Sequence, residues 1–448
     1  MRARHRPGAV FLKPAMNDPV PTADTTRRRR APAMPFIMLT VLIDMVSIGL
    51  IIPVLPPLVG SFTGSQADHA FWYGVVTFAF GIANFFGSPV LGALSDHYGR
   101  RPVLLLGFTG LALSFFVTGM ATALWMLVAV RLFSGALQAN AAVAQAYVAD
   151  ISAPDERAKR FGMLGAMFGL GFVLGPVSGG LLGAIDLHLP FFVAGGLAVL
   201  NAVYGVAVLP ESLPPQRRTP VNWKKANPVS SLKGLHELHG VGMLVAVIGL
   251  AGLAQFMLHT TWVLYTTFKF GWGPKENGWS LFAVGAMSVL VQGGLMRPAL
   301  KRWSPQKLAV AGLASSTVCY ALWGFATEGW MMYAVIGLNV IGFMAQTAIQ
   351  TVVSNAADEQ SQGRTLGAVA SLNSLMAVIA PVLGAALLGV VSHLPRGDWR
   401  IGAPMFLCAL LQGGAMWLAL RHFRRHPASN SPQPAHAAGG HPAVDGTA

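Results

Sequence analysis

Runs of about twenty apolar residues recur twelve times along the chain, at about 35–58, 72–93, 102–121, 123–148, 162–184, 189–209, 241–268, 277–299, 307–326, 330–354, 365–392 and 400–421. A helix of that length crosses about 30 Å of hydrocarbon. In lipid only helices and closed barrels satisfy every backbone polar group. The expected fold class is therefore an all-α integral membrane protein with twelve transmembrane helices. Composition agrees, since 54% of the 448 residues are hydrophobic and only 11% are charged, against roughly 25% charged in soluble domains.

A formal net charge of +14 would suit a nucleic-acid binder if it were gathered in one domain. Instead, Lys and Arg recur in short clusters between the apolar runs. With the N-terminus taken as cytoplasmic, 26 of the 31 fall on the cytoplasmic side, four on the other (Lys269, Lys275, Arg396, Arg400), and Arg131 lies within a span. By the positive-inside rule both termini are expected in the cytoplasm of a multi-pass protein of the cell inner membrane. Its expected partners are the lipid bilayer, protons and a small-molecule substrate, with no nucleic acid, and a monomer is expected.

The basic tail 1–34, ending in "RRRRAPAM", lacks the short apolar core and cleavage site of a signal peptide and reads as disordered. The Pro-, Ala- and Gly-rich tail 422–448 reads likewise. Between them, 35–209 and 241–421 hold six spans each, and 210–240 is the longest internal polar stretch, a natural linker between two six-helix bundles. The halves share a trace of one pattern. Gly162, Pro176 and Gly179 follow the loop acids Asp155 and Glu156, and Gly367, Pro381 and Gly384 follow Asp358 and Glu359, with the same Gly-to-Pro-to-Gly spacing in both halves. Repeat-built transporters carry such internal symmetry.

Within the first run, "FIMLTVLIDMVSIGLIIPVLPPLV", stands Asp44. A carboxylate at mid-membrane costs about 2.5–3.5 kcal/mol on insertion scales, so it marks a functional site by default. Asp44 lies about nine residues into its run, ~14 Å deep at ~1.5 Å per residue, and Arg131 enters from the opposite face to ~12 Å. If both line a central cavity, burial favours the protonated acid and the guanidinium favours the carboxylate, a balance that proton exchange can use. The structural alternatives are a permanent Asp44–Arg131 ion pair or an aspartate capping a broken helix. No other acid lies deep within a span.

Gln138, Asn140, Gln145, Gln255, His259, Gln346, Gln350 and Asn373 are polar residues within spans that either line a substrate cavity or make helix–helix hydrogen bonds. Cys319 and Cys408 fall inside apolar runs without ligand spacing and read as packing residues. No cofactor or metal is expected. An embedded enzyme would need several catalytic groups converging at one depth, and a zinc site would need clustered ligands. Lone Asp44 and scattered His259 supply neither.

"GALSDHYGRRP", 92–102, joins the second and third runs. Read physically, it is a short reversing loop in which Gly92 and Gly99 supply packing and backbone freedom, and Asp96, Arg100 and Arg101 supply charge pairs. Its blander reading is a basic loop placed by the positive-inside rule. The string resembles the loop signature of the major facilitator superfamily at Gly92, Leu94, Asp96, Gly99, Arg100 and Arg101. That resemblance implies a loop that latches the two bundles in the outward-open state. Arg131 and Gly135 resemble the superfamily's fourth-helix motif, and "GLGFVLGPVSGG" resembles its antiporter motif at Gly171, Gly175, Pro176, Gly179 and Gly180.

"GLIIPVLPPL" and the stretch 147–192 are similar to the drug/proton antiporters that include the tetracycline exporters. The resemblance implies proton-coupled export of small amphipathic molecules. A symporter or facilitator importing a small solute on the same fold is the alternative. In the tetracycline exporters one acidic residue stands on the third helix and one on the ninth; the aligned positions here are Ser114 and Ser316. Their hydroxyls either meet the substrate or bond back to their own helices. With both carboxylates gone, a cationic metal chelate is not the expected substrate.

Overall fold

The computed structural model describes residues 33–221, 223, 227–228, 242–356 and 362–425. Residues 1–32 and 426–448 of the two tails, most of the linker, and Asp358 and Glu359 of the repeat lie outside the described residues; the tail residues 33–34 and 422–425, expected to be disordered, instead continue the adjoining helices. All regular structure within them is helical. The first half contains α1 (Ala33–Ile51), α2 (Leu55–Gly60), α3 (Gln66–Tyr98), α4 (Arg100–Gly119), α5 (Leu124–Leu137), α6 (Asn140–Ile151), α7 (Arg157–Ile185) and α8 (Leu189–Val208). The second contains α9 (Gly242–Phe270), α10 (Pro274–Leu290), a π-helical turn (Val291–Leu295), α11 (Met296–Arg302), α12 (Pro305–Phe325), α13 (Gly329–Leu338), α14 (Gly342–Ala356), α15 (Gln362–Val391) and α16 (Ala403–Arg425). Eleven of the resulting segments are long and apolar enough to cross a membrane, and α13 with α14, bent by 42°, makes a twelfth when taken as one span.

Local chemistry explains the interruptions. Pro53 falls in the break between α1 and α2, and Pro56 lies in the first turn of α2, where a missing N–H leaves nothing unpaired. The fourth and tenth runs, expected as continuous helices, are each broken near mid-span, at 138–139 and 339–341. Irregular backbone at that depth must be satisfied by protein. Asn84 does this at the first break, donating to the carbonyl oxygen of Gln138 at 2.6 Å. The reversing loop expected over 94–101 is also shorter than expected. α3 runs on to Tyr98, and Gly99 alone makes the turn with φ +110°, a conformation that favours glycine. Gly92 sits inside α3 with open space beside it, so it provides no close packing.

Two bundles result. In the first, α1 packs on α7 and α8, α3 on α5, and α4 on α8; in the second, α9 packs on α15 and α16, and α12 on α14 and α16. The repeat seen in sequence reappears as equivalent contacts. A side chain at Gly179 would overlap the Leu50 carbonyl of α1, and one at Gly384 would overlap Thr261 of α9. α7 also crosses to α10, and α15 crosses to α3, which joins the bundles.

Those crossings sit in one half of the molecule. One apolar core, from Leu50 and Val76 through Phe191 to Trp262 and Leu388, belongs to both bundles. Toward the face that carries Arg100, Arg160 and Lys307, here the basic face, two separate cores replace it. One holds Ile37, Leu104 and Tyr147 of the first bundle, the other Leu244, Leu313 and Val353 of the second. Gly180 abuts Gly278 at the joined end. By contrast, a methyl group placed on Gly162 or Gly165 of α7, or on Gly293 or Gly294 across from them, would meet nothing within 4 Å. The bundles are closed at one face and splayed at the basic face.

Candidate transport site

Asp44 is 4% exposed on α1 and enclosed by apolar groups including Val41, Leu104 and Phe108. Its partner is Asn140, whose Nδ2 donates to the carboxylate Oδ1 at 3.0 Å. The break in the fourth span produces this contact, because Asn140 is the first residue of α6 and Gly107 of α4 leaves the space its side chain fills. The first turn of α6 lines the pocket through Asn140, Ala141 and Ala144. A helix start carries partial positive charge, so the carboxylate meets an amide and a helix end instead of a cation.

Arg131 is elsewhere. Its guanidinium lies over the Phe80 ring, 5.9 Å from the centroid, within electrostatic reach of Tyr73. Nine residues separate it from Asn140, ~13 Å along a helix. Among the described residues Asp44 has no ion-pair partner. The expectation that Asp44 and Arg131 share a cavity, or form a permanent pair, is therefore corrected. Equal depth along two helices does not bring side chains together when they face different neighbours. Tyr73 in turn donates to the carbonyl oxygen of Thr260 on α9 at 2.8 Å, so Arg131 stands next to a bond between the bundles.

A cavity of about 600 Å³ lies between the bundles toward the basic face, well within the size range of small-molecule sites. Gln255, His259, Gln346 and Asn373 line it, as does Trp262. Gln138, Asn140, Gln145 and Gln350 do not, which corrects that part of the expected cavity. Gln138 lies in the helix break, where its carbonyl accepts from Asn84, and Asn140 holds Asp44, while Gln145 and Gln350 are exposed outside the cavity wall. Ser316 faces the cavity, whereas Ser114 is buried and donates to the carbonyl oxygen of Leu111 on its own helix at 2.9 Å. Tyr320, Trp323, Asn339 and Gln412 also contribute to the wall, and sequence reasoning does not single them out as site residues. A lone Gln in the apolar run "LCALLQGGAMW" and an Asn in "IGLNVIG" are the signals that could have found two of them.

Phe168 on α7 borders both spaces, the cavity and the pocket around Asp44. The remainder of α7 explains its own motif. Gly171, Gly175 and Gly179 receive α1, where a methyl on Gly175 would come 2.6 Å from the Cα of Gly49. Gly180 instead faces α10, where a methyl would lie 2.5 Å from the Pro274 carbonyl oxygen, and Pro176 closes on Gly278. The motif is a two-sided contact, within the bundle and between bundles.

At the basic face, Arg100 pairs with Asp96 and with Asp150 on α6, the latter at 3.1 Å. Glu211, just past α8, caps α4 by accepting from the backbone N–H groups of Arg100 at 2.9 Å and Arg101 at 3.2 Å. Thr219 N–H donates to the Asp96 carbonyl oxygen at 3.1 Å. These bonds hold the loop signature against the first bundle and the start of the segment that follows it.

Comparison with known proteins agrees with this architecture. The family model of the Major Facilitator Superfamily matches residues 37–381. The class C tetracycline resistance protein of Escherichia coli is 37% identical over 381 residues, covering 84% of this chain and 95% of that protein. Multidrug resistance protein 2 of Bacillus subtilis is 28% identical over 79% of this chain and 88% of its own length. Among solved structures, the human organic anion transporter MFSD10 aligns with a TM-score of 0.65 at 21% identity, over 87% of this chain and 99% of that one.

Proposed function

The chain belongs to the Major Facilitator Superfamily, and from that premise we propose that it is a proton-coupled antiporter exporting small amphipathic molecules across the cytoplasmic membrane. It is a transporter and not an enzyme. The bundles 35–209 and 241–421 rock about the linker 210–240, with both termini in the cytoplasm, a reading that the charge distribution supports. The conformation described above is then the inward-open one, with the cavity facing the side from which a drug is loaded.

The observation that carries this reading is Asp44, a carboxylate enclosed at membrane depth with an amide partner and no cation. Such a group exchanges a proton when the surroundings of its pocket change. Asp44 is the proton site. Arg131 supports coupling from the closed end, beside the Tyr73–Thr260 bond. Gly92, Asp96, Gly99, Arg100 and Arg101 form a latch that engages the second bundle only after the basic face closes. The resistance proteins among its relatives favour export over solute import. The uncharged wall at Ser316 and the back-bonded Ser114 disfavour a metal–tetracycline chelate as cargo.

Asp44→Asn tests the assignment, since the amide keeps the shape and removes the titratable group. In an efflux-deficient host, the variant is expected to reach wild-type levels in the membrane and to lose all active lowering of drug accumulation. Wild-type export by Asp44→Asn refutes the proton site. Tetracycline resistance conferred at the level of a dedicated exporter refutes the reading of the cavity charge.

A further inference from the structure

The cavity contains polar atoms that the protein itself leaves without partners, and they specify what a ligand must bring. Gln412 on α16 is 4% exposed and lines the cavity, and its Oε1 accepts no hydrogen bond. A buried amide oxygen needs a donor, and no described protein group supplies one here, so a bound molecule that donates to Gln412 Oε1 makes a bond the fold leaves open.

Across the same wall runs a chain of three side chains. The Tyr320 hydroxyl donates to Gln255 Oε1 at 2.9 Å, and Gln255 Nε2 stands 2.8 Å from His259 Nε2. An amide nitrogen can only donate, so His259 Nε2 accepts and its ring is neutral with the proton on Nδ1. That N–H is the end of the chain, and it has no acceptor among the described residues. The site therefore offers a buried free acceptor at Gln412 and a free donor at His259, beside the more accessible amides of Gln346 and Asn373.

Trp262 and Trp323 close the cavity on the joined side of the bundles, and Trp323 stacks on Tyr320 with ring centroids 5.5 Å apart and planes at 17°. None of the described residues lining the cavity is Asp, Glu, Lys or Arg. A charged molecule entering it would lose hydration without gaining a counter-charge. A flat aromatic molecule would trade water for ring surface.

We propose that this cavity selects uncharged, planar aromatic molecules that present a hydrogen-bond donor to Gln412 Oε1 and an acceptor to His259 Nδ1–H. The proposal rests on the transport reading above and names the substrate class of that site.

Three probes of nearly equal size separate the terms. Phenanthridinone is neutral with one N–H and one carbonyl, N-methylphenanthridinone lacks the donor, and N-methylphenanthridinium is a cation. Binding is measured on the purified full-length protein in nanodiscs. Phenanthridinone is expected to bind about ten-fold or more tighter than the cation. Removing its donor is expected to weaken binding about ten-fold in the wild type and to have no effect in Gln412→Leu. Gln412→Glu, which preserves shape, is expected to reverse the charge preference, and it keeps the test decisive if Gln412→Leu fails to fold.

Preference of the wild type for the cation, no binding of phenanthridinone, or an N-methyl penalty that persists in Gln412→Leu overturns the proposal. Transport is scored separately in liposomes. A neutral probe that binds but is not moved refutes the exporter and leaves the site standing. Cation preference together with active transport refutes the site and leaves the exporter standing.

Discussion

Phe168 is the residue shared by the proposed proton pocket and the proposed substrate cavity. It is half-buried, packs against the core that surrounds Ile37 and Leu104, and borders both the cavity and the Asp44 pocket. A carboxylate behind an aromatic ring is dry and selective; the same carboxylate open to a wet cavity would leak protons. Phe168→Ala is expected to leave the fold intact and to raise the rate of carbodiimide labelling at Asp44 several-fold, with a substrate-independent proton leak in vesicles. Unchanged labelling would mean that the ring does not separate the two spaces. Asp44 itself was legible in the sequence, because few explanations exist for an acid amid twenty apolar residues. Its partner was not. Pairing it with Arg131 followed from charge and depth, but neighbours are decided by helix rotation. A break at 138–139 that turns Asn140 inward has no signature in hydropathy.

At the scale of elements, α7 is the helix that packs both within its own bundle, on α1, and across to the other, on α10. Its small residues are recognisable from sequence as a close-packing motif, and three of them do receive α1. The assignment of Gly180 to a different partner helix depends on how the bundles are joined, which no local pattern encodes. This division makes a specific expectation possible. Gly180→Leu places a side chain against Pro274 and Gly278 only when the closed face is shut. Overpacking of that kind costs about 1–3 kcal/mol, enough to move the ratio of inward-open to outward-open molecules by roughly five-fold or more. Single cysteines introduced along the joined faces of α7 and α10 should then become more reactive to a membrane-impermeant thiol reagent added from outside. Equal reactivity in the parent protein and in the Gly180→Leu variant would show that this contact does not control closure. Gly179→Leu, by contrast, strikes α1 in every state and is expected to reduce the yield of folded protein.

For the whole molecule, the sequence carried the class of fold with little ambiguity. Among the described residues the apolar runs survive as eleven spans, or twelve with α13 and α14 taken as one, the basic loops as a basic face, and the last glycine of each repeat, Gly179 and Gly384, as matched contacts in the two bundles. Conformation did not follow from the sequence, because hydropathy places a helix in a membrane without saying which end of a bundle touches its neighbour. The shared core near one face and the divided cores near the other supply that missing fact. Orientation can be checked directly. A reporter enzyme active only in the cytoplasm is expected to work when fused after Arg425 and to fail when inserted beside Lys275; the opposite pattern overturns the assignment of the basic face to the cytoplasm.

The central claim, that proton movement through Asp44 drives export, is tested most directly in inside-out vesicles carrying a pH-sensitive dye. With the lumen acidified, addition of a transported compound should dissipate the pH gradient in vesicles containing the wild-type protein, and should leave it intact in vesicles containing Asp44→Asn at equal abundance. Substrate-dependent proton release that persists in Asp44→Asn, or substrate uptake by wild-type vesicles with no accompanying proton release, would contradict it.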